Sequence, residues 1–225
     1  MNNEIIQFLK ERFVSDVGFA DCTNDTPFAD LKNAISLVFR LSDAVVEQID
    51  GAPTHTYFQH YRTMNANIDN ITLQLVMYLQ EKGYNAAAIP ASQSINGLQG
   101  LFPHKKAAVR AGLGYIGKSA LFISDKFGPR VRLGTVFTDA PLDVKNKVQV
   151  DMCGECNICS KMCGAMAIKN IAFEDGMTRE DIFDAQACSD YMKDKFKNIG
   201  RGVVCGVCMK VCPKGKQGIV KQAVN

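Results

Sequence analysis

The sequence predicts an α/β (α+β) fold over residues 1–150, followed by a smaller domain over residues 151–225 built of cysteine-rich turns. Three observations carry this. Up to residue 150, stretches with helical periodicity are interleaved with stretches of strand character. Eight of the nine cysteines fall after residue 150. Beyond that point the periodic segments shrink to short connectors between cysteines.

In chain order, residues 3–14 predict a helix, with Ile5, Ile6, Leu9 and Phe13 on one face and Glu4, Lys10, Glu11 and Arg12 elsewhere. Residues 17–22 read as a short strand, in which the isolated Cys22 serves as a small core residue. Residues 34–41 are nearly all apolar, the mark of a strand buried on both faces. Gly51 to Pro53 is a turn. Residues 63–82 predict a long helix with Ile68, Ile71, Leu75 and Leu79 as its buried stripe, closed by Gly83. Residues 84–89 follow as a strand ended by Pro90, then 91–102 as a long loop and 104–111 as a short helix. Residues 119–124 and 130–138 are further strands. In the latter, Val131, Leu133 and Phe137 alternate with Arg130 and Arg132, which predicts a half-exposed strand. Past 150, residues 167–173 form an apolar connector, Thr178 to Asp181 resembles a helix-start cap, and 187–198 is helical.

The cysteines carry the chemistry. Cys153, Cys156, Cys159 and Cys163 are spaced as in the run by which bacterial ferredoxins hold a [4Fe–4S] cluster, and Cys205, Cys208 and Cys212-Pro213 supply a second, partial run. In two-cluster ferredoxins the fourth cysteine of each run ligates the other cluster. Applied here, Cys153, Cys156, Cys159 and Cys212 hold one cluster, and Cys163, Cys188, Cys205 and Cys208 hold the second. Gly202 stands where a standard second run has its first cysteine, so Cys188 replaces it from a helical insertion. Two zinc sites are the rival reading, but a third cysteine three residues after a Cys-x2-Cys pair does not serve a tetrahedral ion. Gly164 stands where the ferredoxin run usually has proline.

Residues 111–119 fit two nucleotide patterns at once: Gly112-x-Gly114-x-x-Gly117 and Gly112-x4-Gly117-Lys118-Ser119. Both need a buried strand before and a helix after. Residues 104–111 are polar and helical and 120–123 look like a strand, so neither nucleotide reading is favoured. A tight turn packing two elements, or a backbone that approaches a flat cofactor, are the readings that stay open.

Residues 104–121, 133–142, 153–163, 188–191 and 205–213, in that order, resemble the epoxyqueuosine reductases and, more distantly, the respiratory reductive dehalogenases. The resemblance implies a nitroreductase-like α/β domain carrying cobalamin, with flavin mononucleotide as the alternative, next to a ferredoxin-like domain with two [4Fe–4S] clusters. It places Gly112, Gly114, Tyr115, Ile116, Gly117 and Lys118 near the corrin. It implies electrons delivered one at a time to a reducible cofactor and a small substrate, with a reductant protein such as ferredoxin or flavodoxin as partner. The family carries an acidic residue shortly before the stretch matching 103–110. Here no Asp or Glu occurs between Tyr84 and Ser124, and Leu98 stands nearest to that position. The catalytic residue is therefore unassigned, with His104 the one group there that titrates near neutrality.

Bulk properties bound these readings. The formal charge is +3 with neutral thiols; two four-thiolate clusters of about −2 each bring the loaded protein near neutrality, so the charge argues for no nucleic-acid partner. The start has no basic or apolar signal region and no apolar run has membrane length, which predicts a soluble cytoplasmic protein. Against the reductase stand a ferredoxin-like electron carrier without its own substrate, an iron–sulfur ATPase, and RNA binding through Lys105, Lys106, Arg110, Lys118, Arg130 and Arg132. Epoxyqueuosine reduction in tRNA is less favoured than a small substrate, because the chain is shorter than the tRNA-modifying enzymes.

Overall fold

A computed structural model describes residues 1–95, 97–144 and 146–215. They divide into two compact units, whose boundary is not a single cut at residue 150. Met1–Arg40, Gln59–Tyr115 and Arg132–Val150 form the first unit, while Leu41–Phe58 and Ile116–Val131 group with residues 151–215 in the second.

The first unit is built on a four-stranded sheet of order β1-β2-β6-β3, with β1 at Asp16–Asp21, β2 at Asn33–Arg40, β3 at Ala86–Ile89 and β6 at Val131–Thr138. β1 and β2 are antiparallel, with Val17 opposite Leu37 and Phe19 opposite Ile35; β3 and β6 are antiparallel, with Ala87 opposite Phe137. Successive residues of a strand point to opposite faces, and this sheet has a core on each. Ile35, Leu37, Phe39 and Val136 meet α1 (Asn2–Lys10) and α3 (His55–Glu81) on one side, through Ile5, Leu9, Ile68, Ile71, Leu75 and Leu79. Ala34 and Phe137 face the other side, with Cys22, Ile89, Phe102 and Ala107, the last on α4 (His104–Arg110). Gly134 lets α3 approach β6 closely, since a Cβ there would lie 2.9 Å from Ile68 Cγ2.

The differences from expectation have local causes. α1 ends at Lys10 rather than running to 14, because Phe13 takes a left-handed conformation (φ 59°) and the chain closes in a Schellman cap: Val14 N–H donates to Leu9 O and Phe13 N–H to Lys10 O. α3 begins at His55 rather than at 63. Its first turns carry no apolar stripe to announce them, but the Thr54 hydroxyl accepts from Tyr57 N–H at 3.1 Å and caps the helix. β6 is not half-exposed. From Leu133 to Thr138 every residue is buried, as befits a strand with neighbours on both edges. Two short elements had no sequence signal of their own: α2 (Asp43–Glu47) and β4 (Gly114–Ile116), which pairs with β5 (Phe122–Ser124) in a two-stranded ribbon.

In the second unit, α5 (Ile158–Lys161) packs on α8 (Val207–Val211), and α6 (Arg179–Ile182) and α7 (Ala185–Lys195) lie between them in sequence. α6 starts at a capping box in which Thr178 and Asp181 exchange hydrogen bonds, the predicted cap. Arg130 is a fully buried cation of this unit, at 1 % exposure. It pairs with Asp43 at 2.9 Å and with Glu47, which also accepts from Lys210 at 2.9 Å. A Cβ at Gly215 would lie 2.8 Å from Arg130 Nε and one at Gly206 3.0 Å from Tyr57, so α2, Arg130 and the start of α3 sit closely against the run from 205 to 215.

Candidate functional site

The eight late cysteines all lie in the second unit as free, partly exposed thiols. Cysteines of the two runs influence one another. Cys159 is pushed up to about 11, first by burial and then by Cys153, Cys212 and Cys156. Cys188 is likewise pushed up to about 11, by burial and then by Cys205 and Cys163. Cys208 is raised by burial and then by Cys205, Cys188, Cys163 and Cys159. The fourth cysteine of each run thus stands beside the other run's first thiols, Cys212 with Cys153 and Cys156, Cys163 with Cys205.

Thiols crowded into partly desolvated groups resist ionising alone, which is the cost that iron offsets by replacing their protons. The groups fit a cluster in a second respect. Backbone N–H donors face the sulfurs: Lys118 on Cys153, Val207 on Cys205, Lys214 and Gly215 on Cys212. Such donors stabilise thiolates held in a cluster. Among the described residues no three His, Cys, Asp or Glu side chains are close enough to share a single metal ion.

Two departures from the ferredoxin run have a structural reason. At Gly164, a Cβ would lie 2.3 Å from the Tyr191 hydroxyl, so the α7 tyrosine takes the space that proline usually fills. At Gly202 (φ 70°), a Cβ would lie 2.5 Å from the Met192 carbonyl. The insertion helix that brings in Cys188 therefore also excludes a side chain from the position where a standard run has its cysteine.

The glycine loop is packed against this chain's own atoms. A Cβ at Gly112 would lie 2.7 Å from Lys147 Cδ; one at Gly117 would lie 3.0 Å from Ile123 and 3.2 Å from Cys153 Sγ. Lys118, 8 % exposed, donates from Nζ to the carbonyls of Gly154 at 2.6 Å and Cys156 at 3.4 Å. Gly114, Tyr115 and Ile116 form β4, with Tyr115 and Ile116 buried. The loop is preceded by helix α4 and followed by strand β5, so the strand–loop–helix order of a phosphate cradle is missing. The six basic residues singled out for RNA do not make one free basic face. Lys106 and Arg110 pair with Asp25, Arg130 is buried, and Lys118 is turned inward.

In the first unit His104 is not poised to give up a proton. The Pro90 carbonyl can only accept, so Nε2 donates to it at 3.1 Å, and Nδ1 accepts from the Thr135 hydroxyl at 2.8 Å. Burial, reinforced by the Arg132 charge, pushes the ring down to about 4. Tyr61 is a residue the sequence did not single out. Burial raises its phenol, but the Arg132 charge and hydrogen bonding with Ser92, Asn65 and Arg132 bring it below the ordinary value. The Arg132 guanidinium lies 4.4 Å over the Tyr61 ring and donates to Asn65 at 3.0 Å. The usable signal was the pairing of Arg132 with an aromatic-rich stretch at 57–61, which only the fold brings together.

Residues 152–215 match the family described as a 4Fe-4S double cluster binding domain. The chain is 28% identical over 166 residues to a tetrachloroethene reductive dehalogenase of Desulfitobacterium hafniense, which covers 67% of this chain and 28% of that protein. It is 34% identical over 119 residues to an epoxyqueuosine reductase of Pseudomonas aeruginosa, covering 48% of this chain and 30% of that protein. The chain thus spans less than a third of these relatives' length. Among solved structures, one titled as a reductive dehalogenase with a mechanism for B12-dependent dehalogenation superposes over 94% of this chain and 31% of its own, with a TM-score of 0.73 at 20% identity. The chain is a distant relative of both groups and shares the fold of the last.

Proposed function

We propose that the chain is an iron–sulfur oxidoreductase in which Cys153, Cys156, Cys159 and Cys212 hold one [4Fe–4S] cluster and Cys163, Cys188, Cys205 and Cys208 the other. The single observation that carries this is that Cys159 is influenced by Cys153, Cys156 and Cys212 while Cys188 is influenced by Cys205 and Cys163, with the Lys118 backbone N–H on Cys153. When bound, the clusters supply single electrons to a second cofactor, for which we propose cobalamin with flavin as the alternative, and through it to a small substrate. Kinship to reductases and the likeness to a fold titled B12-dependent support that reading. A reductant protein such as ferredoxin or flavodoxin would refill the clusters.

The chain's own contributions are specific. Gly117 lies close to Cys153 and Lys118 donates to the Gly154 carbonyl, so in this reading these two positions of the glycine loop serve the cysteine loop. His104 is held neutral with its N–H engaged, and proton supply falls to Tyr61, whose phenol is made more acidic by Arg132. No acid replaces Leu98 within 85–123.

The test is anaerobic reconstitution followed by titration with cobalamin and, separately, with flavin mononucleotide. Binding of one of them, with its spectrum changing when the clusters are reduced, is the expected result. Protein that binds neither yet is rapidly reoxidised by an acceptor protein would instead be an electron carrier.

A further inference from the structure

The turn at Gly117 and Lys118 does more than pack. Lys118 is a buried cation whose ammonium donates to carbonyl oxygens, those of Gly154 and Cys156, rather than to a carboxylate. A buried charge is costly unless an opposite charge compensates it. On the same loop, the Asp151 carboxylate accepts from the N–H of Cys153 at 3.0 Å and of Gly154 at 3.2 Å. The loop that presents Cys153 and Cys156 is therefore bracketed by one cation and one anion.

We propose that Lys118 and Asp151 are positioning residues that set the reduction potential of the first cluster in opposite directions. The inference rests on the iron–sulfur reading above. Reduction adds one electron to a group already surrounded by thiolates. The Lys118 ammonium stabilises that added charge and raises the potential; the Asp151 carboxylate opposes it and lowers the potential. Their hydrogen bonds fix both charges to the same short loop, so neither swings away when the cluster changes charge.

The experiment is an EPR-monitored reductive titration of the full chain, anaerobically loaded with iron, as wild type and as Lys118→Met, Lys118→Arg and Asp151→Asn. A Cys188→Ala variant, which removes a thiol of the second group alone, identifies which wave belongs to which cluster. The expected result is a first-cluster wave shifted negative in Lys118→Met, shifted positive in Asp151→Asn, and near its wild-type position in Lys118→Arg. The second wave stays in place throughout. Two intact waves with the first unmoved in both Lys118→Met and Asp151→Asn would overturn the proposal. If Lys118→Met fails to load the first group, Lys118→Arg and Asp151→Asn decide it: a negative shift in the former or no shift in the latter contradicts it. Wild-type protein that takes up no iron would contradict the iron–sulfur reading itself, a result distinct from an unmoved wave.

Discussion

Lys118 Nζ donates to the Gly154 carbonyl at 2.6 Å across 36 residues of sequence. That contact ties the end of the glycine loop to the first cysteine turn, and it gives a lysine that mimics a phosphate-binding residue a different task. A P-loop lysine must reach a phosphate; this one is turned into the protein. Lys118→Ala should accordingly leave any ATP binding at its wild-type level, and loss of measurable ATP binding in that variant would revive the ATPase reading.

A side chain at Gly117 would crowd the first cysteine turn. A Cβ there would sit 3.2 Å from Cys153 Sγ and 3.0 Å from Ile123, and overpacking of this kind costs about 1–3 kcal/mol. Gly117→Val is expected to reduce iron at the first group while the second group keeps its own. Full iron and an unchanged melting temperature in that variant would show that the close approach is unimportant.

The crossed pairing of the runs gives a directional prediction. Cys163 belongs by sequence to the first run, yet it stands with Cys188, Cys205 and Cys208. Cys163→Ala should therefore lose the second cluster and keep the first, leaving about four irons per chain. Retention of the second cluster's EPR signal with loss of the first would show that the runs are not crossed.

The short spacings within each cysteine run were legible in the sequence because they are a local property. The sheet was also legible where burial is continuous, as in Ala34 to Phe39, and so was the α3 stripe of Ile68, Ile71, Leu75 and Leu79. What escaped depended on distant partners. Arg130 reads as a surface residue until Asp43 and Glu47, more than eighty positions away, neutralise it. The start of α3 lacks an apolar stripe and is fixed by capping, and α2 is too short to show one and is held by this ion pairing. Tyr61 and Arg132 gain their relationship only when α3 lies on β6.

Glu47 is the shared acid of that network. Hydrogen bonds from Lys210 and then Arg130 hold its carboxyl at about 2. Removing one acid partner leaves the buried Arg130 with Asp43 alone, and a buried group short of a partner costs about 1–3 kcal/mol. Glu47→Ala should lower the melting temperature and loosen the run from 205 to 215, read as faster amide exchange there. Unchanged exchange in that run would remove the bracing role.

His104 makes stability depend on pH. Its folded value of about 4 lies below the ordinary 6.5, so the unfolded chain binds the proton more readily between them. This contribution is fully present above pH 6.5 and is lost as pH falls from 6.5 towards 4. Denaturant melts across that window should show a decline that His104→Asn flattens. An equal decline in both proteins would mean that other groups govern it.

Whether eight cysteines hold two iron–sulfur clusters is tested most directly by the iron and acid-labile sulfide content of protein purified without oxygen, read together with EPR after reduction. Two clusters require about eight irons and eight sulfides per chain and two interacting paramagnetic centres. About two zinc ions per chain, with no sulfide and no signal, would contradict that reading.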